Sequence, residues 1–136
     1  MNQIPMEVSE RHGRLCASSG SSWEPVMGYS RAVRSGNQIA VTGTVGINPD
    51  GTYPPALAAQ TRRSLQIILA ALKALGAGPE HVIRTRIYCT DITRWQEIAQ
   101  EHRAVFGQIR PATTLLQVPR LIDEQAMIEI EADAVM

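Results

Sequence analysis

The order of its elements predicts an α+β protein, a two-layer sandwich with two helices on one face of a sheet. Three observations carry this. A stretch of helical period follows Pro54-Pro55. Strict two-residue alternation runs through 82–90 and again through 127–135. Turn signals separate these blocks, and no repeat or low-complexity segment interrupts them.

Taken in order, residues 1–22 read as an N-terminal arm and 23–136 as the domain. Ser18-Ser19-Gly20-Ser21-Ser22 is a linker or turn signature, and Arg14-Leu15-Cys16-Ala17 before it reads as a short edge strand. Ser30–Arg34 and Gln38–Gly43 read as a hairpin closed at Ser35-Gly36-Asn37. Asn48-Pro49-Asp50-Gly51 is a second turn. The first long helix then carries Leu57, Thr61, Leu65, Ile68, Leu69, Leu72 and Leu75 on one stripe, with Arg62, Arg63 and Gln66 opposite. Gly76 stands where a left-handed cap belongs. In the strand 82–90, Ile83, Thr85, Ile87 and Cys89 should face one way and Arg84, Arg86, Tyr88 and Thr90 the other. Thr93 and Gln96 predict a capping box for a second helix ending at Gly107. Its inner stripe would be Trp95, Ile98, Ala99, His102, Val105 and Phe106. Strands at 113–118 and 127–135 close the chain.

Composition narrows the function. The chain has 136 residues, 44% apolar and 19% charged, which is one globular domain. No apolar stretch suffices to span a bilayer, and the first residues lack the apolar core of a secretory signal. A cytoplasmic location is the expectation, with Cys16 and Cys89 as reduced thiols. The two cysteines match no metal-ligand spacing, so no metal or cofactor is expected. Thirteen bases balance thirteen acids and aromatics are few, which argues against nucleic acid as a partner. All bases but Lys73 are arginine, the residue suited to bidentate carboxylate pairing, although a coding bias would give the same count.

The helices need only one sheet face. The other would carry Arg84, Arg86 and Tyr88 beside Glu129, Glu131 and Asp133. Such a face can be solvated, or it can be a subunit interface with a ligand cleft at its edge.

Met27-Gly28-Tyr29-Ser30-Arg31-Ala32-Val33, Gly36-Asn37, Val41-Thr42-Gly43, Gln60-Thr61-Arg62, Tyr88–Asp91, Arg110-Pro111-Ala112 and Ile128-Glu129-Ile130-Glu131-Ala132 together resemble the RidA family. These are the reactive intermediate deaminases, also called YjgF-like or L-PSP proteins. The resemblance runs from about Trp23 to the C-terminus. It implies a chorismate-mutase-like fold with a mixed sheet, assembled as a homotrimer with clefts between subunits. It also implies hydrolysis of reactive enamines and imines to a keto acid and ammonia, without cofactor or metal.

By the same resemblance, the family tyrosine falls on Tyr29, the pocket pair on Thr42-Gly43, and the water-positioning glutamate on Glu129. The family's Pro-Ala-Arg-Ser reads Pro111-Ala112-Thr113-Thr114 here, so Thr113 stands in place of the carboxylate-clamping arginine. Leu115 replaces a small pocket residue, and Ala99 an asparagine of the second helix. A hydroxyl cannot supply two parallel charged donors. Arg86 is the substitute clamp to weigh, against a plain ion pair with Glu129, Glu131 or Asp133. His102 is a general base or a hydrogen-bonded core residue. Trp23 either closes over the cleft or pins the arm.

Three functions therefore compete. The first is a divergent imine or enamine hydrolase with a substrate other than the family's usual one, with Glu129 catalytic and Tyr29, Thr42, Gly43, Arg86, Thr113 and Leu115 lining the pocket. The second is a non-catalytic small-molecule-binding or regulatory trimer. The third is the endoribonuclease activity of the family's older name, disfavoured by the neutral charge.

Overall fold

Strand β1 (Glu7–Arg11) opens the fold in the computed structural model, which describes residues 3–136. It pairs with β2 (Arg14–Ser18) around His12-Gly13, at φ 53° and 77°. Two successive positive φ values make the two-residue turn that suits a twisted hairpin. The segment set apart as an arm thus contributes two strands, and β2 lies inside the sheet rather than at its edge. A short helix α1 (Trp23–Met27), unforeseen in the sequence, ends at Gly28 with φ 77°.

The hairpin of β3 (Ala32–Ser35) and β4 (Gln38–Val45) closes through Gly36-Asn37 as expected, with Gly36 at φ 61°. Helix α2 (Leu57–Ala74) buries Leu57, Thr61, Leu65, Ile68 and Leu72 on one side. Its end is a full Schellman motif. Gly76, at φ 90°, donates to Lys73 O at 3.1 Å, and Ala77 donates to Leu72 O at 2.9 Å.

Strand β5 (Val82–Cys89), helix α3 (Trp95–Phe106), β6 (Ala112–Gln117) and β7 (Ile128–Val135) complete the chain. The seven strands run β1-β2-β3-β4-β7-β5-β6. Every described pair is antiparallel except β5 with β6, so the sheet is mixed. Strand β7 alternates as read: Ile128, Ile130, Ala132 and Ala134 are buried and Glu129, Glu131 and Asp133 half-exposed. Ile39, Val41 and the apolar side of β7 meet Leu65, Ile68, Leu72, Ile98 and Phe106 in one core. No helix among the described residues is long and apolar enough to cross a membrane.

Three local expectations need correction. The β5–β7 register shifts between Val82 and Arg84, so Val82 takes the core position and Ile83 is exposed. Asp91, rather than Thr93, caps the turn before α3, accepting from Thr93 N at 3.1 Å. Trp95 is 49% exposed, because a 3-10 turn over Ile92–Arg94 starts the helix later and rotates its first residue outward.

Candidate functional site

A β-bulge builds the site. Val41 pairs with Ala132 and Thr44 with Ile130, so Thr42 and Gly43 together stand opposite Glu131. The extra residue bends β4 and re-aims the Thr42 side chain. Thr42 Oγ1 donates to Ser30 O at 2.6 Å and Thr42 N to Arg31 O at 2.9 Å, tying the bulge to the segment before β3. Gly43 leaves room for its neighbour: a Cβ there would lie 3.0 Å from Glu129 Cδ. Three residues on, Gly46 passes so close to α2 that a Cβ would overlap Gln60 O.

An open groove of 870 Å³ runs along this end of the sheet. Tyr29, Thr42, Gly43 and Glu129 all line it, so four of the expected residues come together in one protomer. Trp23 lines it as well, at 46% exposure. Burial pushes the Glu129 carboxyl above the ordinary carboxylate range; the Arg31 charge partly offsets this and Glu131 adds to it. Tyr53, also in the groove, is pushed up to about 12 by burial, by the charge and hydrogen bond of Asp123, and by Glu129.

Arg31 underlies the groove, and the sequence analysis quoted it without giving it a role. It is 7% exposed, and its donors are taken. Nη1 donates to Gly43 O at 2.9 Å and Thr44 Oγ1 at 3.2 Å, Nε to Ser19 Oγ at 3.3 Å, and Nη2 to the Tyr29 hydroxyl at 3.4 Å. Glu24, 5% exposed, is its counter-ion at 3.8 Å. Burial alone would raise the Glu24 pKa. Hydrogen bonds from Ser19 and Ser18 and the Arg31 charge outweigh it and leave the carboxyl below its ordinary value. Gln60 was missed in the same way. Its Nε2 donates to Pro54 O at 2.9 Å and Gln125 O at 3.0 Å, and its Oε1 accepts from Met127 N at 2.9 Å, fixing the loop that leads into β7.

The remaining expected residues lie elsewhere. Arg86 is an ion-pair residue: Nη1 stands 3.3 Å from Glu131 Oε1 and 3.2 Å from Asp133 Oδ2. The Tyr88 hydroxyl donates to the same Glu131 oxygen at 3.2 Å. Thr113 points to the helix side, where its hydroxyl lies 2.8 Å from Thr85 Oγ1, itself 2.9 Å from His102 Nε2. Thr113 also donates to Pro111 O at 3.1 Å. The His102 ring lies 4.8 Å from that of Phe106 at a tilt of 44°, and burial lowers its pKa by disfavouring the charged form. Leu115 sits opposite Ile87 and packs on the core. None of these four lines the groove. Among the described residues no cluster of His, Cys, Asp and Glu could hold a metal ion.

The profile of the family described as endoribonuclease L-PSP matches residues 19–136. The chain is similar to Rv2704 of Mycobacterium tuberculosis, a member of the YjgF/YER057c/UK114 family. It is 46% identical to that crystal structure with a TM-score of 0.85, covering 90% of this chain and 99% of that one. It is 33% identical to the Streptomyces coelicolor protein SCO2049, over 85% of this chain and 87% of that one. It is 32% identical to the 2-iminobutanoate/2-iminopropanoate deaminase of Escherichia coli, over 79% of this chain and 86% of that enzyme.

Proposed function

The chain belongs to the endoribonuclease L-PSP family, the RidA and YjgF proteins, and we propose that it is a divergent imine or enamine hydrolase acting from clefts in a homotrimer. One observation carries the catalytic part. Glu129 stands in an open groove with its pKa raised, its carboxyl hydrogen-bonded to no described residue, and Gly43 giving it room. A carboxylate so placed can take a proton from water at a pH near neutrality.

In the proposed reaction water adds to the imine carbon, forming a C–O bond. The imine enters protonated on nitrogen; the water's proton passes to Glu129 and the C=N electron pair goes to the nitrogen. The carbinolamine then collapses. Glu129 returns its proton to nitrogen and the C–N bond breaks with its electron pair on nitrogen. The hydroxyl oxygen closes the C=O and passes its proton through Glu129 to the departing ammonia, so ammonium and a keto acid leave. Tyr29 and the Thr42-Gly43 bulge shape the wall.

The homotrimer is supported by two features. Strand β6 is largely exposed, with Leu116 at 41%, and the expected site residues split between groove and β6 edge. Setting one copy's edge against another's groove would join the two sets. A non-catalytic binding trimer is the second reading. It is favoured by Thr113, whose hydroxyl is engaged by Thr85 and Pro111 where a clamp would need free charged donors. Glu129, Glu131 and Asp123 in the groove disfavour a polyanion such as RNA.

Ammonia release from 2-iminobutanoate generated in situ tests the reading with wild type, Thr113→Arg and Glu129→Gln. The expected result is turnover by wild type that Glu129→Gln abolishes and that falls as acid protonates Glu129, above the ordinary carboxylate range. A silent wild type rescued by Thr113→Arg would establish the binding reading instead. The stability sign is opposite. With its folded pKa raised, the Glu129 proton stabilises the native state below the ordinary value, and this is lost as pH rises through the folded pKa. Glu129→Gln should therefore melt higher than wild type at pH 7 and match it at pH 3.

A further inference from the structure

Two guanidinium groups line the groove, and they differ in what they have to bind. Arg31 has spent its donors on Ser19, Gly43, Thr44, Tyr29 and Glu24. Arg63, half-buried on α2, makes one hydrogen bond among the described residues, from Nε to Ile47 O at 3.0 Å. No carboxylate among those residues pairs with it. Asp50, on the loop beside it, is turned onto Thr52, with Oδ1 accepting from Thr52 N at 3.0 Å and Thr52 Oγ1 at 2.6 Å.

A guanidinium has five N–H donors in a fixed fork. Here the Nε bond holds the side chain in place and leaves both terminal nitrogens for another acceptor. Burial without an acid partner disfavours its charge, and its pKa is lowered accordingly. An incoming anion would relieve that penalty.

Its position suits the chemistry. The groove lining turns round the end of β4, from Glu129 on the helix-free side past Val45 and Ile47 to Arg63 and Ile67 on α2. Val45 is the cross-strand partner of Glu129, and Ile47 is two residues further on. Arg63 is thus tethered to the chain two residues past the cross-strand partner of Glu129. Arg63 and Glu129 open onto one groove, so a small acid seated there can present its carboxylate to the arginine and its reacting carbon to the glutamate.

We propose that Arg63 is the anion-binding group of this groove and holds the carboxylate of a small 2-imino or 2-oxo acid, the task that Thr113 cannot perform. The assignment rests on the hydrolase reading for the identity of the acid, and its test separates the two. Calorimetric titration with 2-oxobutanoate, the stable keto acid of the same carbon chain, measures the carboxylate contact directly. Butan-2-one serves as the comparator without a carboxylate.

Wild type should bind 2-oxobutanoate, and Arg63→Gln should weaken that binding roughly ten- to hundredfold while leaving butan-2-one unchanged. Arg63→Lys should fall between, as a point charge without the fork. It also carries the test should the glutamine variant fail to fold by circular dichroism. Binding of 2-oxobutanoate that is absent in wild type, or undiminished in both variants, overturns the assignment. Binding without ammonia release from 2-iminobutanoate leaves Arg63 in place and sinks the hydrolase. Turnover with an unchanged KM in Arg63→Gln does the reverse.

Discussion

At the groove end of the sheet, Glu24 and Arg31 are 5% and 7% exposed, and every donor of the guanidinium is directed at a named acceptor. At the β5–β6 side, the Arg86 side chain is 43% exposed and its partners Glu131 and Asp133 are 31% and 40%. Both regions use arginine and carboxylate. In the first, the pair is part of the interior and organises backbone, because Arg31 fixes Gly43 O at the bulge that aims Thr42 and accommodates Glu129. In the second, the pair lies on a wet sheet face and holds side chains only. Charge in the protein is structural where it is buried and available where it is not.

The largest effect that would break this contrast is on Arg31. Replacing it with methionine keeps an unbranched apolar stem but strands Glu24 as a buried carboxylate without its counter-ion. Losing one partner of such a pair costs about 3–5 kcal/mol. Arg31→Met should lower the denaturant midpoint accordingly at unchanged m-value. Because Glu24 has a depressed pKa, the wild-type stabilisation exists above the ordinary carboxylate value and fades as pH falls through the folded one. The gap between wild type and variant should therefore narrow in acid. A loss below 1 kcal/mol at pH 7 would mean that the groove end is held by packing alone.

On the helix side of β5 and β6 lies the Thr113–Thr85–His102 chain of hydroxyls and imidazole, with Thr85 fully buried. Thr85→Val is close in shape and removes only the bridging hydroxyl. It leaves His102 Nε2 without its partner, so the expected loss is about 1–2 kcal/mol by chemical denaturation. A neutral result would show that water replaces the hydroxyl. The chain would then be a surface feature like the Arg86 pairs rather than an interior one like Arg31.

What the sequence made legible follows the range of the interactions. Strand β7 and helix α2 were read correctly because their patterns are local. Alternation of Ile128, Glu129, Ile130 and Glu131 needs only a one-sided core, and the Gly76 cap needs only the preceding turn. The mistakes are also local in origin: a bulge at Val82–Ile83 reverses a parity that strict alternation assumes. The site was legible to the extent that it lies on such elements. Tyr29, Thr42, Gly43 and Glu129 do meet, although only the β4–β7 register shows why. Arg31, Gln60 and Arg63 were on the page as letters without roles. What separates a saturated guanidinium from an unsaturated one is a set of acceptors drawn from residues 19 to 47, and no spacing rule encodes it. Glu24 offered one faint signal, an acid inside a segment of Trp23, Val26 and Met27.

The smallest predicted effect bears on the β6 side and sharpens the comparison most. Arg86→Met removes two half-exposed ion pairs, and pairs so placed contribute below about 1 kcal/mol. That is the expected loss for the isolated chain. In the proposed homotrimer this face is covered, water no longer screens the pairs, and Glu131 and Asp133 lose their arginine partner among the described residues. The same substitution should then weaken assembly, seen by sedimentation as a shift to monomer at concentrations where wild type remains a trimer. An equally small loss at every concentration, with unchanged sedimentation, would place Arg86 permanently in water. The two ends of the sheet would then differ because only one of them is interior, and the support that the β6 edge lends to the trimer would be gone.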